Sequence, residues 1–396
     1  MKEITISELN KLDKATYAFI DIRDEALAAY GMIPGAVNVT LKKLESGDFG
    51  AISAISKNKK LIFYCQIGRT SAELDEDEYE VLSNREVYSL KDGYLGFIRA
   101  KMEDESDIKE RRERAEVSIR KKFHKQLFTP FARACKEYEL ISEGDNIAVC
   151  ISGGKDSMLM AKLFQEIQRH RKVNFTLTFL VMDPGYNKEN RALIESNAKA
   201  LGIPVTIFES EIFNAVDTIE KNPCYICARM RRGYLYSKAK ERGCNKIALG
   251  HHYDDVIETI LMGMLHGGQI QTMMPKIHST NFPGMELIRP MYLIREADIL
   301  HWRDYNSLRF LRCACRFTEA AEEGRILNEK ANSGELSKRL EIKKLIAALK
   351  QTNPYVESNI FKSVENVNLS TVIAWKQKGV THRFTEWYDG ADKEEK

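Results

Sequence analysis

The chain has 396 residues, with hydrophobic residues at 43% and charged residues at 30%. That is more chain than one ordinary core holds, and the mixture excludes a disordered tail, a collagen-like fibre and a disulfide-stapled miniprotein. Lys plus Arg number 60 and Asp plus Glu 57, so net charge says nothing about nucleic acid and any basic surface must come from local clustering. The N-terminal MKEITISELN has no apolar core of a secretory signal. The apolar runs 179–182 and 260–265 are too short to span a bilayer. The 8 cysteines argue for metal or catalysis rather than disulfides, and a cytoplasmic protein away from the membrane is expected.

Residues 1–100 alternate short apolar runs, 17–20 and 61–64 among them, with Gly, Pro and Asn punctuation, the texture of a small α/β domain. Cys65 ends the run 61–64 and opens the loop Cys65-Gln66-Ile67-Gly68-Arg69-Thr70-Ser71. Backbone N–H groups of such a loop, with Arg69, would stabilise a thiolate or persulfide at Cys65. Together with Asp21-Ile22-Arg23-Asp24, the turn Gly31-Met32-Ile33-Pro34-Gly35-Ala36-Val37-Asn38 and the closing Lys91-Asp92-Gly93-Tyr94-Leu95-Gly96-Phe97, this loop resembles a rhodanese domain. Met32 stands where that family has His, and Arg69 comes one position early. A degenerate domain kept for protein contacts is the alternative to an active one; Cys65 at the strand end favours activity.

Residues 101–125 are nearly all charged and read as a solvated linker helix. In 126–325, strands over 147–151, 176–181, 205–208 and 246–249 alternate with helices over 158–168, 190–201 and 229–242. That order predicts a doubly wound parallel sheet. Residues 326–396 read as a helical C-terminal region of mixed charge.

The first of these strands runs into Ser152-Gly153-Gly154-Lys155-Asp156-Ser157 and then a helix. Two glycines let backbone N–H groups close around an anion, and the helix N-terminus adds its dipole. Lys155 supplies a positive charge, Ser157 a hydroxyl and Asp156 a carboxylate for Mg2+. The spacing is not that of the common ATPase loop. It resembles the SGGKDS loop of the PP-loop pyrophosphatases, an adenine nucleotide alpha hydrolase-like fold that cleaves ATP between the α and β phosphates. In such a fold the strand end carrying Met182 meets the adenine. Gly250-His251-His252-Tyr253-Asp254-Asp255 follows a later strand: Gly250 allows close approach to the nucleotide, and Asp255 is the carboxylate expected to hold magnesium.

Cys224 and Cys227 form C-x-x-C ahead of Arg229, Arg231 and Arg232, with Cys313 and Cys315 far downstream. Four thiolates suit a closed zinc site, and three with one open iron suit a [4Fe-4S] cluster; spacing alone does not decide. Cys135, Cys150 and Cys244 sit in apolar contexts and read as small hydrophobes. The run from Cys224 through CYICARMRRGYLYSKAKERGCNKIALGHHYDD, with SGGKDS upstream and IRPMYLIREADI downstream, resembles the tRNA 2-thiocytidine synthetase (TtcA-like) family over about residues 121–370. The resemblance implies a [4Fe-4S] cluster on Cys224, Cys227 and Cys313, with Cys315 the alternative third ligand. It also implies ATP-dependent replacement of O2 of a cytidine in the tRNA anticodon loop by sulfur. A persulfide on Cys65, loaded by a cysteine desulfurase or another donor, would supply the sulfur.

Three basic clusters, 109–125, 229–242 and 338–350, are the expected phosphate-binding footprint for that tRNA. Sulfur would pass from Cys65 by a swinging linker or between the chains of a homodimer. A 2-thiouridine synthetase, a small-molecule ATP-dependent sulfurtransferase and a zinc-stapled, non-catalytic RNA-binding protein are the competing readings.

Overall fold

In a computed structural model of the chain, residues 1–102, 105–210, 212, 223–311 and 334–388 are described. They form two compact units, Met1–Tyr253 with Met274–Glu335, and Asp254–Met273 with Leu336–Lys396.

The first unit begins with a five-stranded sheet in the order β1-β5-β4-β2-β3, where β1 is Lys2–Ile4, β2 Tyr17–Asp21, β3 Val37–Asn38, β4 Lys60–Tyr64 and β5 Val87–Leu90. All of its pairings are parallel. The central strand β4 is buried from Leu61 to Tyr64, which is why it reads as an uninterrupted apolar run. Asp21 pairs in register with Tyr64, so the chain leaves β2 toward Arg23 and β4 toward Cys65 at the same edge.

A second, six-stranded sheet follows in the order β10-β11-β9-β6-β7-β8, with β6 Asn146–Ile151, β7 Thr176–Asp183, β8 Val205–Glu209, β9 Lys246–Ala248, β10 Lys276–His278 and β11 Glu286–Ile288. Only the edge strand β10 is antiparallel. From β6 the chain moves to β7 and β8 on one side and then returns to β9 on the other, so the crevice at the carboxyl end of β6 is a topological switch point, where open α/β sheets bind ligands. The helix Lys155–Arg169 buries Met158, Leu159, Ala161, Leu163 and Phe164. Its sequence has no β-branched residue before Ile167 to oppose helix formation. The three-residue strands β10 and β11 escaped the sequence pattern because a run that short carries no periodicity.

The expected solvated linker is instead a docked helix. Glu105–Arg120 buries Ala115, Ser118 and Ile119. Its Glu116 lies 2.8 Å from Lys162 Nζ, its Arg120 Nε lies 2.8 Å from Glu166, and Trp302 Nε1 donates to Ser118 Oγ at 3.1 Å. One buried apolar cluster runs from Ile4 and Leu95 beside the first sheet to Phe310 and Leu311 beside the second. The charges of 105–120 looked solvated because their partners, Lys162 and Glu166, lie on another helix. Lys162 is almost wholly buried, so Glu116→Ala leaves a buried ammonium short of its counter-ion. A loss of about 2 kcal/mol is expected from the urea midpoint; an unchanged midpoint would show that this pair does not hold the helix.

In the second unit, the helices Gly334–Thr352 and Val356–Ser363 are followed by a hairpin, β12 Ala374–Gln377 and β13 Val380–Arg383. The expected helical C-terminal region is present, and the hairpin is an addition to it. Its Lys378-Gly379 turn has φ values of 49° and 84°, the two-residue geometry that matches strand twist. Among the described residues, no helix is long and apolar enough to cross a membrane.

Candidate functional site

The loop between β6 and the helix Lys155–Arg169 is shaped by two close approaches. Gly153 has φ +84°, and a Cβ there would stand 2.6 Å from Ile194 Cγ1, so a side chain meets both a strained backbone and the neighbouring helix Lys188–Leu201. Gly250, just past β9, would place a Cβ 3.2 Å from Ser157 N, so the end of β9 is pressed against the loop. Ser157 Oγ accepts from Ser152 N at 3.1 Å and donates to Gly154 O at 3.1 Å, pinning the loop from inside. Gly154 caps the helix without a side-chain hydrogen bond. The first-turn N–H groups therefore face the crevice with the positive end of the helix dipole behind them.

Lys155 Nζ lies 3.1 Å from Asp156 Oδ2 and 3.0 Å from Glu296 Oε1. Burial disfavours its charge, but the two carboxylates outweigh that and hold the ammonium above its ordinary pKa. Asp156 Oδ1 is buried, accepts no hydrogen bond and lies 3.9 Å from His252 Nε2. Glu296 and His252 are members of this cluster that sequence reasoning missed; the signal for His252 was its place in the Gly250–Asp255 run. The side chain of Met182 is buried against Ile212, Tyr186, Phe208, Met230 and Leu235, so only its main chain is left to meet a nucleotide.

A second site lies at the carboxyl end of β4. Cys65 is buried, and its Sγ accepts from Gly68 N at 3.2 Å and from Ser71 Oγ at 3.7 Å. Ser71 is tied to Ser89 at 2.8 Å, and Tyr94 N donates to Cys65 O at 2.9 Å. The turn before Tyr94 thus closes on the loop. Arg69, expected beside the sulfur, is an exposed first residue of the helix Arg69–Glu73. The guanidinium built into the loop is Arg23, buried against Asp21 at 2.6 Å and donating to Gln66 Oε1 at 3.1 Å. Ser71 and Arg23 were not legible as site residues because each reaches Cys65 or its neighbour only through the fold.

Cys224 and Cys227 do not precede a helix, as expected; they lie in its first turns, in Pro223–Glu241, one turn apart. Their side chains, and Cys313 and Cys315 altogether, lie outside the described residues. Among the described residues, no three His, Cys, Asp or Glu side chains stand close enough to hold a metal ion. Cys135, Cys150 and Cys244 are buried free thiols; burial pushes Cys150 up to about 12 and raises the other two, which keeps all three protonated and unreactive.

In the second unit, Asp255 stands in the first turn of the helix Tyr253–Gly267. Arg339 reaches it at 3.7 Å and Glu258 at 3.1 Å. Of the first basic cluster, Arg112 and Arg120 are paired with Glu116, Arg114 donates to Asn306 O, and Lys122 lies 4.0 Å over the Tyr305 ring. These cations serve the fold; Lys121 and Lys125 are exposed.

A switch-point anion loop on a doubly wound sheet, joined to a small parallel-sheet domain with a cysteine loop, defines a PP-loop protein carrying a rhodanese-like domain. Family models agree: the PP-loop domain matches residues 119–315 and the rhodanese-like domain residues 6–100. Among curated proteins, the tRNA-cytidine(32) 2-sulfurtransferase of Acaryochloris marina is 31% identical over 253 residues, 63% of this chain and 84% of its own length. That of Alcanivorax borkumensis is 32% identical over 274 residues, 67% of this chain and 87% of its own. The chain belongs to the tRNA-cytidine(32) 2-sulfurtransferase family. Among solved structures, the U34-tRNA thiolase NcsA of Methanococcus maripaludis is 21% identical with a TM-score of 0.46, covering 60% of this chain and 76% of that one.

Proposed function

We propose that this protein is an ATP-dependent tRNA thiolase that replaces O2 of an anticodon-loop cytidine with sulfur, the sulfur arriving as a persulfide on Cys65. The observation that carries the reading is the phosphate loop. Gly153 is fixed in a left-handed conformation, Gly250 is pressed onto the helix start, and Lys155 is kept charged at the switch point. Membership of the family supports the substrate.

In this reading the N–H groups of the first turn of Lys155–Arg169 and the Lys155 ammonium take the ATP phosphates. Cytidine O2 attacks the α phosphorus and pyrophosphate leaves. The outer sulfur of the Cys65 persulfide, its S–S bond cleaved by an external thiol acting as two-electron reductant, then bonds to C2 at the sulfide level, and the adenylated oxygen departs as AMP. Asp156, whose buried Oδ1 accepts no hydrogen bond, would hold Mg2+ beside the phosphate loop; Asp255 is proposed for the same ion only on its place in the sequence run 250–255. The target base must leave its stack, which costs a few kcal/mol and less in a loop where it is unpaired.

Three cysteine thiolates are the donor set that a [4Fe-4S] cluster with one open iron takes. In a right-handed strand–helix–strand unit, the start of Pro223–Glu241 comes to the carboxyl edge of the sheet. Leu311, two residues before Cys313, lies 3.6 Å from a Cβ position on Gly154 at that same edge. Cys224, Cys227 and Cys313 would hold the cluster, with Cys315 the alternative third ligand, and its open iron would supply an acceptor for sulfur. The remaining exposed basic residues would bind the tRNA backbone. The small dipole-bearing loop around Cys65, with Gly68 N on the sulfur, is what would hold the persulfide anion delivered by a desulfurase.

The test is product analysis with anaerobically prepared protein, tRNA and ATP. AMP and pyrophosphate appearing only with tRNA present is expected; ADP and phosphate would contradict the reading. Iron and acid-labile sulfide near four each per chain are expected, and one zinc without sulfide would remove the cluster. Asp255→Asn is expected to lower AMP formation by about a hundredfold if that carboxylate holds magnesium. Normal turnover by the variant would leave Asp255 as a partner of Arg339 alone.

A further inference from the structure

The N-terminal domain meets Arg303 and Arg309, residues of the segment that backs the phosphate loop, through the helix Glu25–Tyr30 and the residue after it. Arg23 Nη2 donates to Gly31 O at 2.7 Å. Gly31 is so closely packed that a Cβ on it would stand 2.7 Å from Tyr94 Oη and 3.4 Å from Arg309 Cδ. Its neighbour Tyr30 lies beneath Arg303, whose Cζ is 4.9 Å from the ring centre. Arg303 belongs to the helix Glu296–Tyr305, seven residues after Glu296. Both therefore share one helix face, two turns apart, and Glu296 is the carboxylate on Lys155. Further on, Leu311 rests against Gly153 and Gly154. One segment, 296–311, thus touches the phosphate loop with some residues and the N-terminal domain with others.

Within that segment one group lacks what it needs. The Arg303 side chain is 8% exposed. Its Nε and Nη2 are bound to Asp304 at 2.8 and 3.1 Å, whereas Nη1 is buried with no acceptor. Buried guanidinium N–H groups are rarely left unmade, and Tyr30 offers the cation a ring face. Burial raises the Tyr30 phenol, Lys155 and Arg303 pull it back, Arg303 through a hydrogen bond to the phenol as well, and Asp156 pushes it up. Arg303 Nη1, buried without an acceptor, lies on the same helix face as the Glu296 that holds Lys155, a position that an anion would complete.

We propose that Tyr30 and Arg303 form a phosphate subsite at the boundary of the two domains, taking the polyphosphate of the ATP that Lys155 binds. The N-terminal domain then completes the nucleotide site as well as carrying sulfur. This rests on the reading of the loop as an ATP site. A phosphodiester of bound RNA is the other source of the same anion. ATP is favoured because Arg303 shares a helix face with Glu296, which holds the phosphate-loop Lys155 at 3.0 Å.

The test uses the full chain and titrates Mg2+ with α,β-methylene ATP, and separately a tRNA transcript, into the wild type, Arg303→Met and Tyr30→Phe. Tyr30→Phe keeps the ring under Arg303 and removes the hydroxyl with its hydrogen bond to Arg303. Arg303→Met is expected to weaken nucleotide binding about tenfold and Tyr30→Phe about threefold, with tRNA affinity unchanged in both. Unchanged nucleotide affinity in both variants overturns the subsite. A loss confined to tRNA overturns it too and assigns the pair to the RNA backbone. A wild type that binds no nucleotide overturns the ATP reading of the loop together with this inference.

Discussion

Cys65→Ala is expected to abolish thiolation when cysteine and a desulfurase are the only sulfur source, and to leave thiolation from free sulfide intact. The substitution removes one sulfur from a buried position whose neighbours are held independently of it. Gly68 and Ser71 are tied through Ser89, and Tyr94 N bonds the carbonyl of residue 65 rather than its side chain. Fold and ATP cleavage should therefore survive, and the loss falls on sulfur delivery alone. Thiolation counted by nucleoside mass spectrometry reads it directly. A variant that thiolates at the wild-type rate with the desulfurase as donor would sink the relay and return the N-terminal domain to a contact module.

The second large effect is at Gly153. An alanine there must hold φ near +84° and meet Ile194 Cγ1 at 2.6 Å. Left-handed strain and overpacking together cost about 2–4 kcal/mol. The relief available is a shift of the loop away from the helix Lys188–Leu201, which turns its N–H groups off the anion. Gly153→Ala is expected to raise the Kd for α,β-methylene ATP by more than about tenfold while Cys65 remains competent in thiosulfate-to-cyanide sulfur transfer. Nucleotide affinity within about twofold of wild type would show that the phosphates do not depend on this turn. Loss of both activities would mean that the fold had failed, which the thermal midpoint would reveal.

Much of this was legible in the chain itself. β6 from Ile147 to Ile151 and β7 from Phe179 to Asp183 are buried and so appear as apolar runs, and the phosphate loop sits between the first of them and an amphipathic helix. Cys65 was legible for the same reason, as the first polar residue after a fully buried strand. What could not be read were groups whose meaning is set by a distant partner. Glu296 matters because Lys155 meets it, and Arg23 because β2 and β4 end side by side. Arg112, Arg114 and Arg120 looked like an RNA footprint, yet their acceptors are Glu116, Glu166 and the Asn306 carbonyl. Charge density in a sequence does not distinguish a solvated face from a docked one. The hairpin at 374–383 was missed because its turn, Lys378-Gly379, is a weaker signal than Asn-Gly or Asp-Gly.

The measurement that bears most directly on the central claim is nucleoside mass spectrometry of an unmodified tRNA transcript after incubation with the anaerobic protein, ATP, Mg2+ and a sulfur source. The account predicts 2-thiocytidine, formed only with ATP and accompanied by one AMP per thionucleoside. Thiolated uridine, or no thionucleoside while ATP is still consumed, would contradict it.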